Sequence, residues 1–307
     1  MNLHLPPATG PGDRVGVAAL SGPVRPERLE AGVEALRRLG FEPVLADNLL
    51  SRSRHGLFAG EDADRLAAFH RLAAEPDLRA IFFARGGSGL LRVLPGIDWE
   101  LLRRHPRAYV GYSDLTPFLL EIVRRLGLVA FHGPLVAAEL AFGLQPDEES
   151  SLLDALAGRY PLALPFRSWL RPPAGTVRGP LLGGCLSLLS AMAGTPYFPD
   201  LDGAILVWEE INEPPYRVDR MLTHLRLSDN LTRIAGMIVG HLEGGTGASG
   251  ADWPGVVADS LSGLDFPVAW RIKSGHLRPN WTLPLGSTAR MEPEECRLWL
   301  GEGMSSA

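Results

Sequence analysis

At 307 residues, with 46% hydrophobic content, the chain is long enough to bury a sizeable core as one large or two ordinary domains. Charged residues make up 21% and mean hydropathy is +0.05, which excludes a disordered tail and a membrane-spanning composition. A formal net charge of -5 without a basic stripe or interleaved aromatics disfavours a nucleic-acid partner.

The first half alternates strand-like and helix-like segments. Arg14 to Leu20 reads as a buried strand ended by Ser21-Gly22-Pro23. Pro26 to Leu39 follows as a helix, with Leu29, Val33 and Leu36 on one face, Pro26 in the first turn and Gly40 at C′. A short strand at Glu42 to Leu45 precedes a helix over Glu61 to Ala74. The strand Ala80 to Ala84 runs into Arg85-Gly86-Gly87-Ser88-Gly89 and a short helix. Ala108 to Gly111 is a further strand, and Thr116 to Leu126 a helix. This rhythm predicts an α/β fold with a mostly parallel sheet, whose ligand site lies beyond the C-terminal ends of its strands.

The rhythm weakens in a proline-rich stretch around Gln145 to Pro180, which has a helix-like piece at Ser151 to Leu156. Residues 1–145 are thus expected as an α/β domain, 146–178 as a crossing segment and 179–307 as a second domain. In the latter, Gly183-Gly184-Cys185 opens an apolar helix. Strands are expected at Gly203 to Trp208, Ala235 to Val239 and Val268 to Trp270, and helices near Val218 to Leu225 and Asp252 to Leu261. Gly244 to Gly250 reads as a flexible loop, and Trp281 to Leu285 as a closing β segment.

Val110-Gly111-Tyr112-Ser113-Asp114 places a serine at a strand-to-helix turn. Such a turn exposes Oγ at the active edge of the sheet and aims the next N–H, that of Asp114, at a developing oxyanion. Leu115 stands where the second glycine of G-x-S-x-G would be, and helix capping by Ser113 or Asp114 is the plainer reading. The glycines of the Arg85 to Gly89 loop allow close backbone approach to a substrate, as a second oxyanion donor or a phosphate cradle, although the P-loop lysine is missing.

A hydroxyl nucleophile needs a base. Of eight histidines, His4, His55, His70 and His105 read as surface residues and His224 as a packed or solvated helix residue. His132, His241 and His276 are pocket candidates, and spacing does not choose among them. The strand ending at Trp208 leads into Glu209-Glu210, which positions a carboxylate for a site. Glu213 competes with it, and a solvated turn with Asn212 and Pro214-Pro215 is the plainer alternative.

The segments ARGGSG (84–89), GYSD (111–114), FHGP (131–134), GPLLGGCLSLL (179–189), ILVWEEINEPPYRVDRML (205–222) and SGHLRPNWTLPLG (274–286) occur together in this order. In that respect the chain resembles the LD-carboxypeptidase family of serine peptidases, which includes the microcin-immunity peptidases. The resemblance implies an α/β N-terminal domain carrying the nucleophile and a β-rich C-terminal domain. It assigns the nucleophile to Ser113, the orienting acid to Glu209 and the base to His276. It also assigns oxyanion donors to the amides of Asp114 and the Gly86-Gly87 loop. Arg85 and Arg217 are candidate partners for a substrate carboxylate. Two positions depart from the family pattern: Cys185 stands where Asn is frequent, and Glu210 where Asp is frequent.

The resemblance implies a small muropeptide substrate, a tetrapeptide losing its terminal D-alanine, with no metal or organic cofactor and a homodimeric assembly. A rival within the family is an amidase acting on peptidyl- or aminoacyl-nucleotides, for which Trp208, Trp270 or Trp281 would stack on a base. A catalytically silent muropeptide-binding protein is a rival from another class. Two widely separated cysteines, Cys185 and Cys296, and the absence of a basic-then-apolar leader at Met1 to Pro11 make the cytoplasm the expected location.

Overall fold

The computed structural model describes residues 3–244 and 250–304. In chain order the first half contains β1 (Arg14–Ala18), α1 (Pro26–Arg38), β2 (Glu42–Leu45), α2 (Asp62–Ala73), β3 (Leu78–Phe83), α3 (Leu90–Val93), α4 (Trp99–Arg104), β4 (Ala108–Gly111), α5 (Thr116–Leu126) and β5 (Ala130–His132). The second half contains α6 (Pro146–Leu156), β6 (Leu162–Arg171), β7 (Val177–Cys185), α7 (Leu186–Met192), β8 (Ile205–Ile211), α8 (Pro215–Leu227), β9 (Gly236–Glu243), α9 (Trp253–Ser260), β10 (Val268–Ile272), β11 (Leu283–Leu285), β12 (Thr288–Met291) and β13 (Arg297–Leu300).

Helix α1 shows why the local reading of the first half works. Pro26 occupies its first turn, Leu29, Val33 and Leu36 are its buried face, and Gly40 follows it at φ +90°. Strands β2, β1, β3, β4 and β5 run parallel in that spatial order, so loops after β3 and β4 meet at one edge of the sheet. Helix α4 and strand β5 are elements that the sequence pattern did not separate from their flanking loops.

The C-terminal half is a closed barrel in the order β10-β6-β13-β12-β7-β8-β9. Strands β7, β8, β9 and β10 are parallel neighbours, and the remaining contacts are antiparallel. Closure removes the free edges that an open sheet would expose.

Segment 146–178 crosses from sheet to barrel and is itself built. It holds α6, the barrel strand β6 and the start of β7. Four of its prolines mark element boundaries, Pro146 starting α6, Pro161 preceding β6 and Pro172-Pro173 turning the chain between β6 and β7, while Pro165 lies within β6 opposite Arg297. Gly183, Gly184 and Cys185 end β7 rather than open the helix that follows. The closing segment β11 leaves the barrel and adds to the first sheet, antiparallel to β5, with Leu283 opposite His132. The buried apolar side chains of sheet and barrel form one continuous cluster, and α5 packs on α7 and β7. Residues 245–249 of the glycine-rich loop read from the sequence lie outside the described residues. No described helix is long and apolar enough to cross a membrane.

Candidate active site

Strand β4 ends at Gly111, and Ser113 sits two residues beyond it with φ +63°. Left-handed backbone at a residue with a Cβ costs about 1–2 kcal/mol, so the surrounding structure must enforce it. Two contacts do so. The Thr116 hydroxyl donates to the Ser113 carbonyl at 2.8 Å, and the Asp114 carboxylate accepts the Leu90 N–H at 2.9 Å. Asp114 is buried, and burial pushes its carboxyl above the usual range. A single 3-10 turn (Ser113–Leu115) leads into α5, so the Asp114 N–H lies where no intrahelical acceptor exists.

The loop after β3 closes over this turn. A Cβ at Gly86 would stand 2.9 Å from the Ser113 Cβ, 3.1 Å from its Oγ and 3.5 Å from the Asp114 nitrogen. The glycine therefore keeps open the space between the hydroxyl and that N–H. The Gly86 carbonyl is held by the Gly22 N–H at 2.9 Å. In a trans peptide the Gly87 N–H points the opposite way from that carbonyl.

His276 reaches the same point from the barrel. Its loop leaves β10 and returns to the first sheet as β11, beside β5 and β4, which carries the imidazole over the end of β4. The ring Nε2 lies 3.0 Å from Ser113 Oγ. On the other side Nδ1 lies 2.6 Å from Glu209 Oε2, and the His276 backbone N–H donates to the same oxygen at 3.1 Å.

The loop is pinned in turn. The Gly275 N–H donates to Asn280 Oδ1 at 2.9 Å, and the Asn280 N–H donates to Glu148 Oε1 at 2.7 Å. Glu148 sits in the first turn of α6, fully buried, and pairs with Arg278 at 2.5 Å. Segment 146–178 thus anchors the loop that carries His276.

Glu209 lies within β8, opposite Cys185 of β7, and is buried. Burial works to raise its carboxyl, but the hydrogen bond and charge of His276 outweigh that and hold it below the usual range. For His276 the largest influence is again burial, which favours the neutral ring. The Glu209 hydrogen bond and charge overcome it, leaving the imidazole above its ordinary value.

Of the other candidates, His241 contacts the Pro279 carbonyl through Nε2 at 2.9 Å. His132 is buried, and neither of its ring nitrogens has a partner among the described residues. Burial depresses His132 to about 4, so its ring is neutral. Glu210 accepts the Ser187 N–H at 2.8 Å and the Ile211 N–H at 3.0 Å and does not touch His276. Glu213 pairs with Arg217 at 2.9 Å, and Arg85 donates to the Pro23 carbonyl at 2.6 Å. Neither arginine contacts Ser113, His276 or Glu209. The Cys185 N–H donates to Thr116 Oγ1 at 3.0 Å, so one threonine joins the serine turn to the barrel. Trp208, Trp270 and Trp281 are all buried, and Trp281 donates to Asp147 at 3.0 Å, which leaves none as an open stacking face.

Thr116, Glu148, Asn280 and the buried Tyr112–Glu139 hydrogen bond of 2.6 Å beside His276 were not among the residues singled out from the sequence. Capping-type residues such as Thr116 and Glu148 have a purely local explanation in sequence, and their long-range partners appear only in the fold.

A family model described as the LD-carboxypeptidase N-terminal domain matches residues 15–133, and one described as the LD-carboxypeptidase C-terminal domain matches residues 178–291. A probable murein peptide carboxypeptidase of Bacillus subtilis is 33% identical, over 98% of this chain and 96% of its own. The microcin C7 self-immunity protein MccF of Escherichia coli is 28% identical, over 90% and 89%. The crystal structure of muramoyltetrapeptide carboxypeptidase from Oxalobacter formigenes superposes with a TM-score of 0.83 at 29% identity, covering 94% of this chain and 97% of that one.

Proposed function

The chain belongs to the LD-carboxypeptidase family, and on that premise we propose that it is a serine carboxypeptidase removing the terminal D-alanine of murein tetrapeptides, with Ser113, His276 and Glu209 as its triad. The observation that carries this reading is the continuous chain of contacts from Ser113 Oγ through both ring nitrogens of His276 to Glu209, at 3.0 and 2.6 Å.

In the proposed mechanism Ser113 Oγ attacks the carbonyl of the L-to-D bond while Nε2 of His276 takes its proton. The carbonyl oxygen becomes an oxyanion near the N–H of Asp114 and those of the Gly86-Gly87 loop. One such donor is typically worth about 2.7–4 kcal/mol of barrier. The C–N bond then breaks, and Nε2 returns the proton to the leaving amine. Water, deprotonated by the same nitrogen, hydrolyses the acyl ester and restores Ser113. Glu209 keeps Nδ1 protonated throughout and stabilises the imidazolium. Arg85 and Arg217 each keep guanidinium N–H groups for a substrate carboxylate while holding their present partners, Pro23 and Glu213.

The test is D-alanine release from a murein tetrapeptide, followed by mass spectrometry, for wild type and Ser113→Ala. Release by wild type alone supports the reading. Release by both variants overturns the nucleophile. Release by neither, with the protein folded, shifts the weight to an amidase of the immunity type, assayed on aminoacyl-nucleotides, or to a binding protein that a serine-reactive phosphonate leaves unlabelled. A cytoplasmic homodimer belongs to the same proposal, and light scattering on the purified protein tests its stoichiometry.

A further inference from the structure

A cavity of about 480 Å³ opens beside the loop that carries His276, and Leu277, the next residue, is part of its wall. Phe166 adds apolar lining, while Arg167, Arg271, Lys273, Arg278 and His241 supply polar groups, and Arg278 is paired with Glu148. The cations there are not equally occupied. Lys273 stands over the Trp281 ring at 5.1 Å and lies 3.8 Å from Asp147. Among the described residues, neither Arg167 nor Arg271 makes an ion pair or a side-chain hydrogen bond.

These two arginines are neighbours across a strand pair. Arg271 on β10 lies between the ladder pairs Trp270–Ser168 and Ile272–Phe166, which puts it opposite Arg167 of β6. Like charges opposite one another in an antiparallel pair are destabilising. Arg271 also takes a left-handed backbone, φ +60°, within its strand, an uncommon conformation for a residue with a side chain. The fold therefore holds two unpaired cations side by side at a solvent-open cavity, one of them on strained backbone, while the carboxylates nearby, Asp147 and Glu148, are taken by Lys273 and Arg278. Nothing in barrel closure requires this, and an oxyanion in the cavity relieves it. Two guanidinium groups suit such a ligand, because each can present paired N–H donors to a carboxylate or phosphate.

We propose that the Arg167–Arg271 cavity is an oxyanion subsite that takes a branch carboxylate on the acyl side of the scissile bond of the peptide substrate. The proposal deepens the carboxypeptidase reading and rests on it. Because the leaving group is a single D-alanine, every other carboxylate of the substrate lies on the acyl side, and Leu277, next to His276, puts the cavity beside that portion.

The experiment measures binding by calorimetry in the Ser113→Ala protein, so that no turnover intervenes. Two tetrapeptides are compared, one with free acyl-side carboxylates and one with those groups converted to amides, both with a free C-terminal D-alanine. The expected result is at least tenfold tighter binding of the acidic peptide, reduced to within about twofold by the added Arg167→Gln and Arg271→Gln substitutions. The preference should also weaken as ionic strength rises. Circular dichroism of the triple variant checks folding. Equal binding of the two peptides, or a preference that survives both substitutions, overturns the proposal. Arginine-dependent binding of adenosine monophosphate without peptide discrimination would overturn the peptide assignment and give the subsite to a nucleotide phosphate. The parent reading fails separately: wild type then releases D-alanine from neither peptide, whereas failure of the subsite alone leaves the peptides cleaved with KM values that the two arginine substitutions do not change.

Discussion

One oxygen of Glu209 holds His276 twice, accepting from ring Nδ1 at 2.6 Å and from the backbone N–H at 3.1 Å. The double contact fixes the ring and its attachment point together. It also fixes the tautomer: with the proton on Nδ1, the lone pair of Nε2 faces Ser113 Oγ at 3.0 Å.

The first prediction concerns that bond. A base must be neutral, and Glu209 raises His276 above its ordinary value against the effect of burial. Activity should therefore rise with pH through an ionisation above about 6.5, the unperturbed imidazole value. Glu209→Gln removes the charge and adds an amide N–H donor that competes with its oxygen for Nδ1, so the proton is no longer held there and burial weighs more. The limb should move to lower pH, and kcat should fall by about 10²–10⁴ through the misplaced tautomer. A kcat/KM profile of the two proteins decides it; an unmoved limb would sink the assignment of His276 and Glu209 as a pair.

Gly275 supplies a steric prediction. Its φ is +115°, and a Cβ there would meet Glu209 Oε2 at 2.5 Å. Gly275→Ala must displace either the carboxylate or the His276 loop, so kcat should drop at least tenfold, on the scale expected when catalytic positioning is lost. Gly263→Ala is the control for backbone conformation alone, since Gly263 has φ +82° with nothing within 4 Å of a built Cβ. That variant should lose about 1–2 kcal/mol of stability and little activity. Parallel measurement of Tm and kcat separates the two effects.

The contrast between these glycines and the Ser113–His276–Glu209 cluster shows what sequence can reveal. Ser113 is legible because a strand, a glycine and a helix start are all local patterns. Glu209 is legible for the same reason, as an acid at the end of an apolar strand, although the structure extends β8 through it to Ile211. The partner of Ser113 is not legible from spacing, because His276 meets it across 163 residues. What brings them together is β11 leaving the barrel to pair with β5. That three-residue strand has the composition of any short closing segment, and its sheet membership depends on partners distant in sequence. The prolines of 146–178 had the opposite effect. They read as punctuation of a linker, yet β6 pairs with β10 and β13 in this stretch, and Pro165 is part of the ladder with β13.

The two thiols should differ sharply. Cys185 is buried, and burial first, then the nearby Glu209 and Glu210 charges, push its thiol well above the usual range. Cys296 is exposed. Since the thiolate is the reactive form, native protein should titrate one thiol rapidly with a chromogenic disulfide, and the second only on unfolding. Cys296→Ser should abolish the fast phase. Rapid reaction of both thiols in folded wild type would mean that β7 opens easily at Cys185, and the close packing of Thr116 against Gly184 would then not persist in solution.

His132 sets a pH dependence of stability that is separate from catalysis. Its folded value is depressed to about 4 from an ordinary 6.5, chiefly by burial, with the Glu209 charge opposing and the His276 charge reinforcing the shift. The unfolded chain therefore binds a proton that the folded chain refuses as pH falls below 6.5. The stability contributed by keeping this ring neutral is present above that pH and is lost as pH falls toward 4, by about 3 kcal/mol in all at 1.36 kcal/mol per unit. His276 has the opposite sign: its folded value is raised, so its contribution is present below 6.5 and fades as pH rises through the folded value. The two windows do not coincide. Buried acids such as Glu139 and Glu210, whose carboxyls are raised by burial, add slopes of their own. Only a difference against His132→Phe isolates the ring. Urea unfolding of both proteins at pH 7, 6, 5 and 4 should show the wild type losing stability relative to the variant across that range. Parallel curves would mean that His132 finds a proton acceptor on folding, for which the unpartnered Oε1 of Glu209 is the nearest chemical candidate.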